Sequence, residues 1–302
     1  MSGMSGQARI TVTKPDGRQF KQVIDNDIED AVYTKLRAQI MSFDEDEPMH
    51  TGAPYFSTPR VDSDLVPARM KIHLSTGGSW LADAGEISEA GLADAGDHLY
   101  IEYSTKTPLP IGNNFDGTIN GYVNQVELMA NDGTTRIANA TTSNTTFTST
   151  SHTDIGHLID GNDTVSCTYR IQIQSFADTS DAYALLLLGV IRGEINDITM
   201  ARYRLTDSLG GQIKDTSSAS LAASGASPNF IIGGSTTYVT VNQVPVGFEI
   251  LTHSNVSIME KALSTGSGNS ARLGAMIPGD TVTVPFEFTL NKLTSVAADP
   301  SP

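Results

Sequence analysis

The chain predicts a mainly β protein: two tandem antiparallel β-sandwich domains of jelly-roll type, preceded by a small α+β N-terminal region. Three observations lead there. First, a strand-turn-strand cassette occurs twice. Residues 115–120 (Phe-Asp-Gly-Thr-Ile-Asn) lead into Val126-Glu127-Leu128 and a turn at Asn131-Asp132-Gly133. Residues 191–196 (Ile-Arg-Gly-Glu-Ile-Asn) lead into Tyr203-Arg204-Leu205 and a turn at 207–211. Second, each copy closes alike: 159–165 runs into a strand at 169–173, and 277–282 into a strand at 286–290. Repetition of one supersecondary unit is the signature of tandem modules. Third, charged residues make up 18% of the chain, below the usual quarter or so. Ser, Thr, Asn and Gly fill the gap, which suits short strands and polar turns better than long surface helices.

The elements follow in order. Ile10 and Val12 alternate with Thr11 and Thr13, and Lys14-Pro15-Asp16-Gly17 forms a turn from which residues 20–24 return. Pro presets φ, Asp bonds nearby backbone and Gly takes positive φ. A helix is expected over 27–43. Asn26 is its cap with Glu29 three positions on, and Ile28, Val32, Leu36, Ile40 and Phe43 form an apolar stripe at helical spacing. The acidic run 44–47 before Pro48 marks its exit, because carboxylates suit the negative end of a helix poorly. Residues 48–64 read as loop and 69–74 as a strand. The echo Leu81-Ala82-Asp83-Ala84-Gly85 and Leu92-Ala93-Asp94-Ala95-Gly96 fits either helical turns or edge loops.

From residue 97 the pattern is all strand. Residues 98–103 and 183–188 are candidate first strands, the second almost wholly apolar and so buried on both faces. Residues 141–151 are a Ser/Thr-rich stretch expected to be an exposed loop. Residues 237–246 and 248–258 are further strands, with Pro245 at a bend. The expected division is therefore 1–64 (hairpin plus helix, a docking region), 65–96 (connector), 97–178 (first sandwich), 179–292 (second sandwich) and 293–302 (a frayed tail).

Charge and cysteine content narrow the function. Nineteen basic against 34 acidic residues give a net charge of −15, with no basic run. Nucleic-acid binding needs a basic stripe that displaces counterions from phosphate, so no nucleic-acid partner is expected. The single cysteine, Cys167, alternates with Val165 and Tyr169 and reads as a small buried hydrophobe. One cysteine excludes an internal disulfide framework. No apolar run approaches the roughly 18 residues that span a bilayer, so membrane insertion is not expected. The N-terminus lacks the basic and apolar regions of a secretory signal, which predicts cytoplasmic synthesis without export through a cleaved signal.

Motifs for chemistry are few. The chain has no Gly-x-Ser-x-Gly elbow; Asp207-Ser208-Leu209 lies at the repeat's turn and reads as that turn. Gly266-Ser267-Gly268-Asn269-Ser270 has neither the Lys nor the strand-helix context of a phosphate loop. His152, Asp154 and His157 form the best metal cluster, but two imidazoles five apart share no face of a helix or strand. The carboxylates Asp25, Asp27, Glu29 and Asp30, and those at 44–47, lack the alternating spacing of a calcium loop. Capping and solvation explain them. Four Asn-x-Ser/Thr sites, at Asn139, Asn144, Asn162 and Asn255, imply no glycan without a signal peptide. No catalytic, cofactor-binding or metal-binding residue is expected, and no cofactor.

The duplicated cassette resembles β domains in virion proteins of bacteriophages, including tail-fibre, baseplate and head-surface components. The resemblance covers about residues 97–290. It implies a non-enzymatic structural protein of a virus particle, in capsid or tail, made in the host cytoplasm and working by self-association and contacts with other virion proteins. The helix at 27–43 would be the anchoring element and 141–151 a contact loop. Two alternatives stay open. One is a carbohydrate-binding or adhesin-like module that attaches to a host surface glycan; the low aromatic content, 7%, and the placing of Trp80 outside the repeats count against it. The other is a hydrolase whose paired carboxylates come from different strands and leave no local motif.

Overall fold

A computed structural model describes residues 2–41, 65–87, 91–92, 98–106, 109–110, 121–141, 159–174, 180–194, 197–264, 271–272 and 279–293. In chain order, β1 (Ser2–Thr13) and β2 (Gln19–Ile28) precede α1 (Asp30–Met41). Then come β3 (Pro67–Leu74), β4 (Ser79–Glu86), β5 (Gly91–Leu92), β6 (His98–Thr105) and β7 (Leu109–Pro110). β8 (Val123–Ala130), β9 (Arg136–Thr141) and β10 (Thr164–Gln174) lead to α2 (Asp181–Ile191). The rest is β11 (Arg202–Thr206), β12 (Gln212–Thr216), β13 (Ser220–Ser224), β14 (Asn229–Val241), β15 (Gly247–Leu251), β16 (Ser257–Ser264), β17 (Ala271–Arg272) and β18 (Asp280–Lys292). The mainly β expectation holds.

Eight strands close on themselves in the order β1-β2-β9-β8-β3-β4-β6-β10 and back to β1. Every neighbouring pair in this ring is antiparallel. Closure removes the exposed edges that an open sheet would leave. Two joints are short: β2 meets β9 only through Asp27↔Asn139 and Ile28↔Ala138, and β4 meets β6 only over Ala84–Glu86. The ring is thus two four-stranded faces curled together at two corners. Along β1, β3, β4, β6 and β10 buried residues alternate with more exposed ones and turn inside it. Ala8, Ile10 and Val12 on β1 face the same core as Tyr169 and Ile171 on β10 and Trp80 on β4. Gly6 is needed here for space. A Cβ at that position would lie 2.9 Å from the Tyr169 hydroxyl and 3.1 Å from its ring.

β1 also joins the ring to a second layer. β2 pairs with it from Thr13 back to Gly6; beyond that point β18 takes the vacated side, parallel over Ser2–Met4. β18, β14 and β13 continue outward in that order. Pro285 lies inside β18, where it pairs only with β14, since β1 reaches no further than residues 290–292. A missing N–H is tolerated on such an open side. A separate five-stranded sheet runs β12-β11-β15-β16-β17. Its aromatic Tyr203 and Phe248 pack on Phe286 of β18, with centroids 5.4 and 5.7 Å away.

The expected turns form as read. Gly17 has φ +86° and donates its N–H to the Lys14 carbonyl at 2.9 Å. Asp132 accepts from the backbone N–H and hydroxyl of both Thr134 and Thr135, at 2.6–2.9 Å. These bonds hold its carboxyl far below the usual range. Asp207 likewise accepts from the N–H of Leu209 and of Gly211, each at 2.8 Å.

Four expectations are corrected. Residues 183–188 are not a strand but the middle of α2. Ser180 caps that helix by accepting from the Tyr183 N–H at 3.2 Å, and Asp181 occupies the first turn. Four consecutive leucines favour a helix over the β-branched residues of a buried strand. The first helix starts at Asp30, not 27, and Asn26 is no cap. β2 runs on to Ile28, where pairing with β9 outcompetes a local cap, and the Glu29 N–H bonds the Ile137 carbonyl at 2.9 Å. The stripe Val32, Leu36 and Ile40 is buried, with Tyr33 added, so this face of the helix is committed to the core. The Leu81–Gly85 echo lies in β4, a strand with Trp80, Ala82 and Ala84 turned inward. Finally, pairing crosses the expected division at 64, 96 and 178. Strands from 1–64 and 65–96 share the ring with 98–174, and β18 pairs with β1. The two cassettes are not placed alike: β8–β9 belongs to the ring, β11–β12 to the smaller sheet.

Candidate functional site

Alternation along β3, β8 and β9 turns polar residues to the outer face of the ring, where they converge. Glu127 on β8 is only 9% exposed. It accepts from Arg136 at 3.0 Å and Gln125 at 3.2 Å, and its other oxygen lies 2.8 Å from His73 Nε2. Arg136 uses its Nε on Glu29, 2.7 Å away. Gln125 also donates to Asn139 at 2.9 Å. Burial alone would raise the Glu127 pKa, but the bonds from His73 and Arg136 hold it below the usual range. Beside this network lies an open depression of about 580 Å³, lined by Glu29, Lys71, Glu127, Met129, Thr134 and Arg136. Both carboxylates are tied to one guanidinium, so neither is a poised general acid. The arrangement can hold a polar group.

A second cluster brings Asp197, His253 and Ser254 together and superficially has the members of a nucleophilic triad. Its geometry is different. The Ser254 N–H and hydroxyl both go to Asp197, at 3.1 and 3.5 Å, and His253 Nδ1 is 3.5 Å from the same carboxylate. The Ser254 hydroxyl also meets that of Thr252 at 2.9 Å. A nucleophile must bond the base, and the base the acid; here the acid binds both. Burial raises the Asp197 pKa, while bonds from His253, Thr199 and Ser254 more than offset this and lower it. The cluster ties the segment after α2 to the β15–β16 turn.

A third cluster closes the ring at the β1–β2 turn. Lys14 Nζ lies 2.6 Å from Asp163, whose side chain is fully buried, and 3.7 Å from Asp160. One Asp163 oxygen accepts from Lys14 and the Asp160 N–H; the other, Oδ1, has no hydrogen-bond partner among the described residues.

Large aliphatic side chains are exposed elsewhere. Leu209, in the β11–β12 turn, is 93% exposed, and Val239, Val244 and Val246 are 59%, 51% and 40% exposed. Their segments adjoin: the Val246 N–H bonds the Thr206 carbonyl at 2.9 Å, and Lys214 of β12 bonds the Val239 carbonyl at 2.5 Å. Leu209 and Val246 therefore lie at one end of the smaller sheet, and Val239 on β14 lies beside β12.

The residues singled out from sequence fall as follows. His152, Asp154, His157, Asp44 to Glu47 and Gly266 to Ser270 lie outside the described residues, as does the loop 142–151. Glu29 and Asp30 are paired with Arg136 and Lys292. Among the described residues no group of three or more His, Cys, Asp or Glu gathers as for a metal ion. Cys167 is buried, and its thiol pKa is pushed up to about 12 by burial. Trp80 is buried in the ring and offers no face to a sugar. No described helix is long and apolar enough to cross a membrane. Sequence reasoning missed the network around Glu127, whose members are far apart in the chain. Among the exposed aliphatic side chains, Leu209 did leave a signal, standing between Asp207 and Gly210 in a turn. No family model, curated protein or solved structure matches this chain.

Proposed function

We propose that this chain is a non-enzymatic structural subunit, of the kind that builds the capsid or tail of a bacteriophage, working through contacts between subunits. The observation that carries this reading is the exposure of Leu209 and Val246 at one end of the smaller sheet. Leu209 is almost wholly exposed at the tip of a turn, where solubility would favour a polar residue. Apolar side chains grouped on a surface mark places that another molecule covers. The rest of the architecture suits a rigid block. A closed ring resists shear because every one of its strands has two neighbours, and β1 fastens the outer sheet to it. The polar clusters are occupied with their own ion pairs, which fits a scaffold better than a catalyst.

The test is the molar mass of the purified chain by light scattering, followed by electron microscopy. Rings, tubes or shells, reduced to smaller species by Leu209→Asp, are the expected result. A strictly monomeric protein that binds a glycan would overturn it in favour of host attachment. Turnover of a glycoside, lost on replacing Glu127, would overturn it in favour of hydrolysis.

A further inference from the structure

We infer that β13 pairs edge to edge and antiparallel with β13 of a second copy of this chain. This rests on the assembly reading above and assigns one of its contacts. β13 is the last strand of the larger sheet, with β14 its one strand neighbour among the described residues. Its outer backbone groups are therefore a template for another strand.

The other open edges among the described residues carry devices that block such pairing, and β5 is only two residues long. β18 has Pro285 along its open side, β7 ends in Pro110, β12 carries Lys214 and Asp215, and β17 carries Arg272. β13 has none of these. Residues 216–229 contain no charged side chain, and Ser220, Ala222, Ala223 and Ser224 are all exposed. In a chain of net charge −15, two copies repel overall, so an uncharged stretch is where they can meet.

The strand is also complementary to itself. Antiparallel pairing centred on Ala222 sets Ser220 opposite Ser224 and Leu221 opposite Ala223, in both halves at once. Large then meets small on one face, and hydroxyl meets hydroxyl on the other. That is the symmetry of a twofold contact. A foreign peptide is a poorer occupant, because sequence-selective strand addition needs side-chain pockets and β13 presents only small side chains besides Leu221. Arg37 sets the limit of the contact by donating to the Ser224 carbonyl at 2.7 Å and to that of Gly225 at 3.3 Å. The joined sheet would run β18-β14-β13 and on through the second copy.

The experiment uses the full chain with Ala222→Cys under mild oxidation. Across the axis the two Cα atoms would lie about 4.5–5.5 Å apart, within disulfide reach, and buried Cys167 does not compete. A covalent dimer on a non-reducing gel is expected, with Arg18→Cys, on an exposed turn far along the chain, staying monomeric. Ala222→Lys, which sets like charges face to face, should lower the sedimentation-average mass at every concentration while leaving the thermal melt unchanged. Oligomers that persist with Ala222→Lys, and show no cross-link with Ala222→Cys, overturn the edge contact and leave the assembly reading standing. Equal cross-linking of both cysteine variants also overturns it, as random collision. A wild-type chain that stays monomeric at all concentrations overturns both.

Discussion

The ring of Tyr33 on α1 stacks on that of Phe230 in β14, with centroids 4.8 Å apart and planes within 6° of parallel. The Tyr33 hydroxyl meanwhile donates to the Met4 carbonyl on β1 at 3.0 Å. One side chain thus ties the first helix to both the ring and the outer sheet. The same Met4 carbonyl accepts the Leu293 N–H at 2.9 Å, so the helix and the end of β18 converge on one point of β1.

Tyr33→Ala removes a fully buried aromatic and leaves a cavity at this junction, at a cost of about 3–5 kcal/mol. Tyr33→Phe loses only the hydroxyl bond, about 1 kcal/mol. Denaturant unfolding checks the order; equal effects from the two would mean that the stack contributes nothing.

Acidification should weaken the face of the ring that carries Glu127. Its pKa is depressed in the folded state from the ordinary 4.5. Its contribution is therefore fully present above 4.5 and lost as pH falls through the folded-state value. Glu127→Gln should cost about 1.5–3 kcal/mol at neutral pH, since bonds to a charged acceptor are lost. The gap to wild type should close on acidification. Thermal melts across pH test this; a gap that is constant with pH would exclude an electrostatic origin.

The Lys14–Asp163 pair predicts a cycle of variants. Lys14→Met leaves a buried carboxylate without its cation and should cost about 3–5 kcal/mol. Adding Asp163→Asn removes the stranded charge and should recover much of the loss. Chemical denaturation of the three variants measures the coupling, and strict additivity would show that the two groups do not interact.

Cys167 should be inert. Its thiol faces the ring interior with a pKa near 12, and the thiolate is the reactive form. A thiol reagent at pH 8 should label the chain only after denaturation. Stoichiometric labelling of the native protein would place Cys167 outside the core.

How far the sequence reached depended on the range of the interaction. The Lys14–Gly17, Asp132 and Asp207 turns were legible because each is closed by residues within four positions of one another. The same holds for the alternation of β3, β6, β10 and β18 and for the buried nature of Cys167. Short apolar runs were ambiguous: residues 183–188 carry no periodicity that separates a strand from a helix buried all round, and the cap at Ser180 decides it. The Glu127 network was illegible because its four arms come from residues 73, 125, 136 and, through Arg136, 29.

By itself, then, the amino-acid order determined a β-rich chain, its turns and one amphipathic helix, since these follow from local propensity and side-chain alternation. Only the tertiary structure decided which strands are neighbours. Ring closure through β1 and β10, the narrow β2–β9 joint that ends the strand before the helix, and the edge position of β13 depend on pairings outside the local sequence. Such pairings are chosen by the joint burial of all the strands at once, and no local stretch of sequence encodes that.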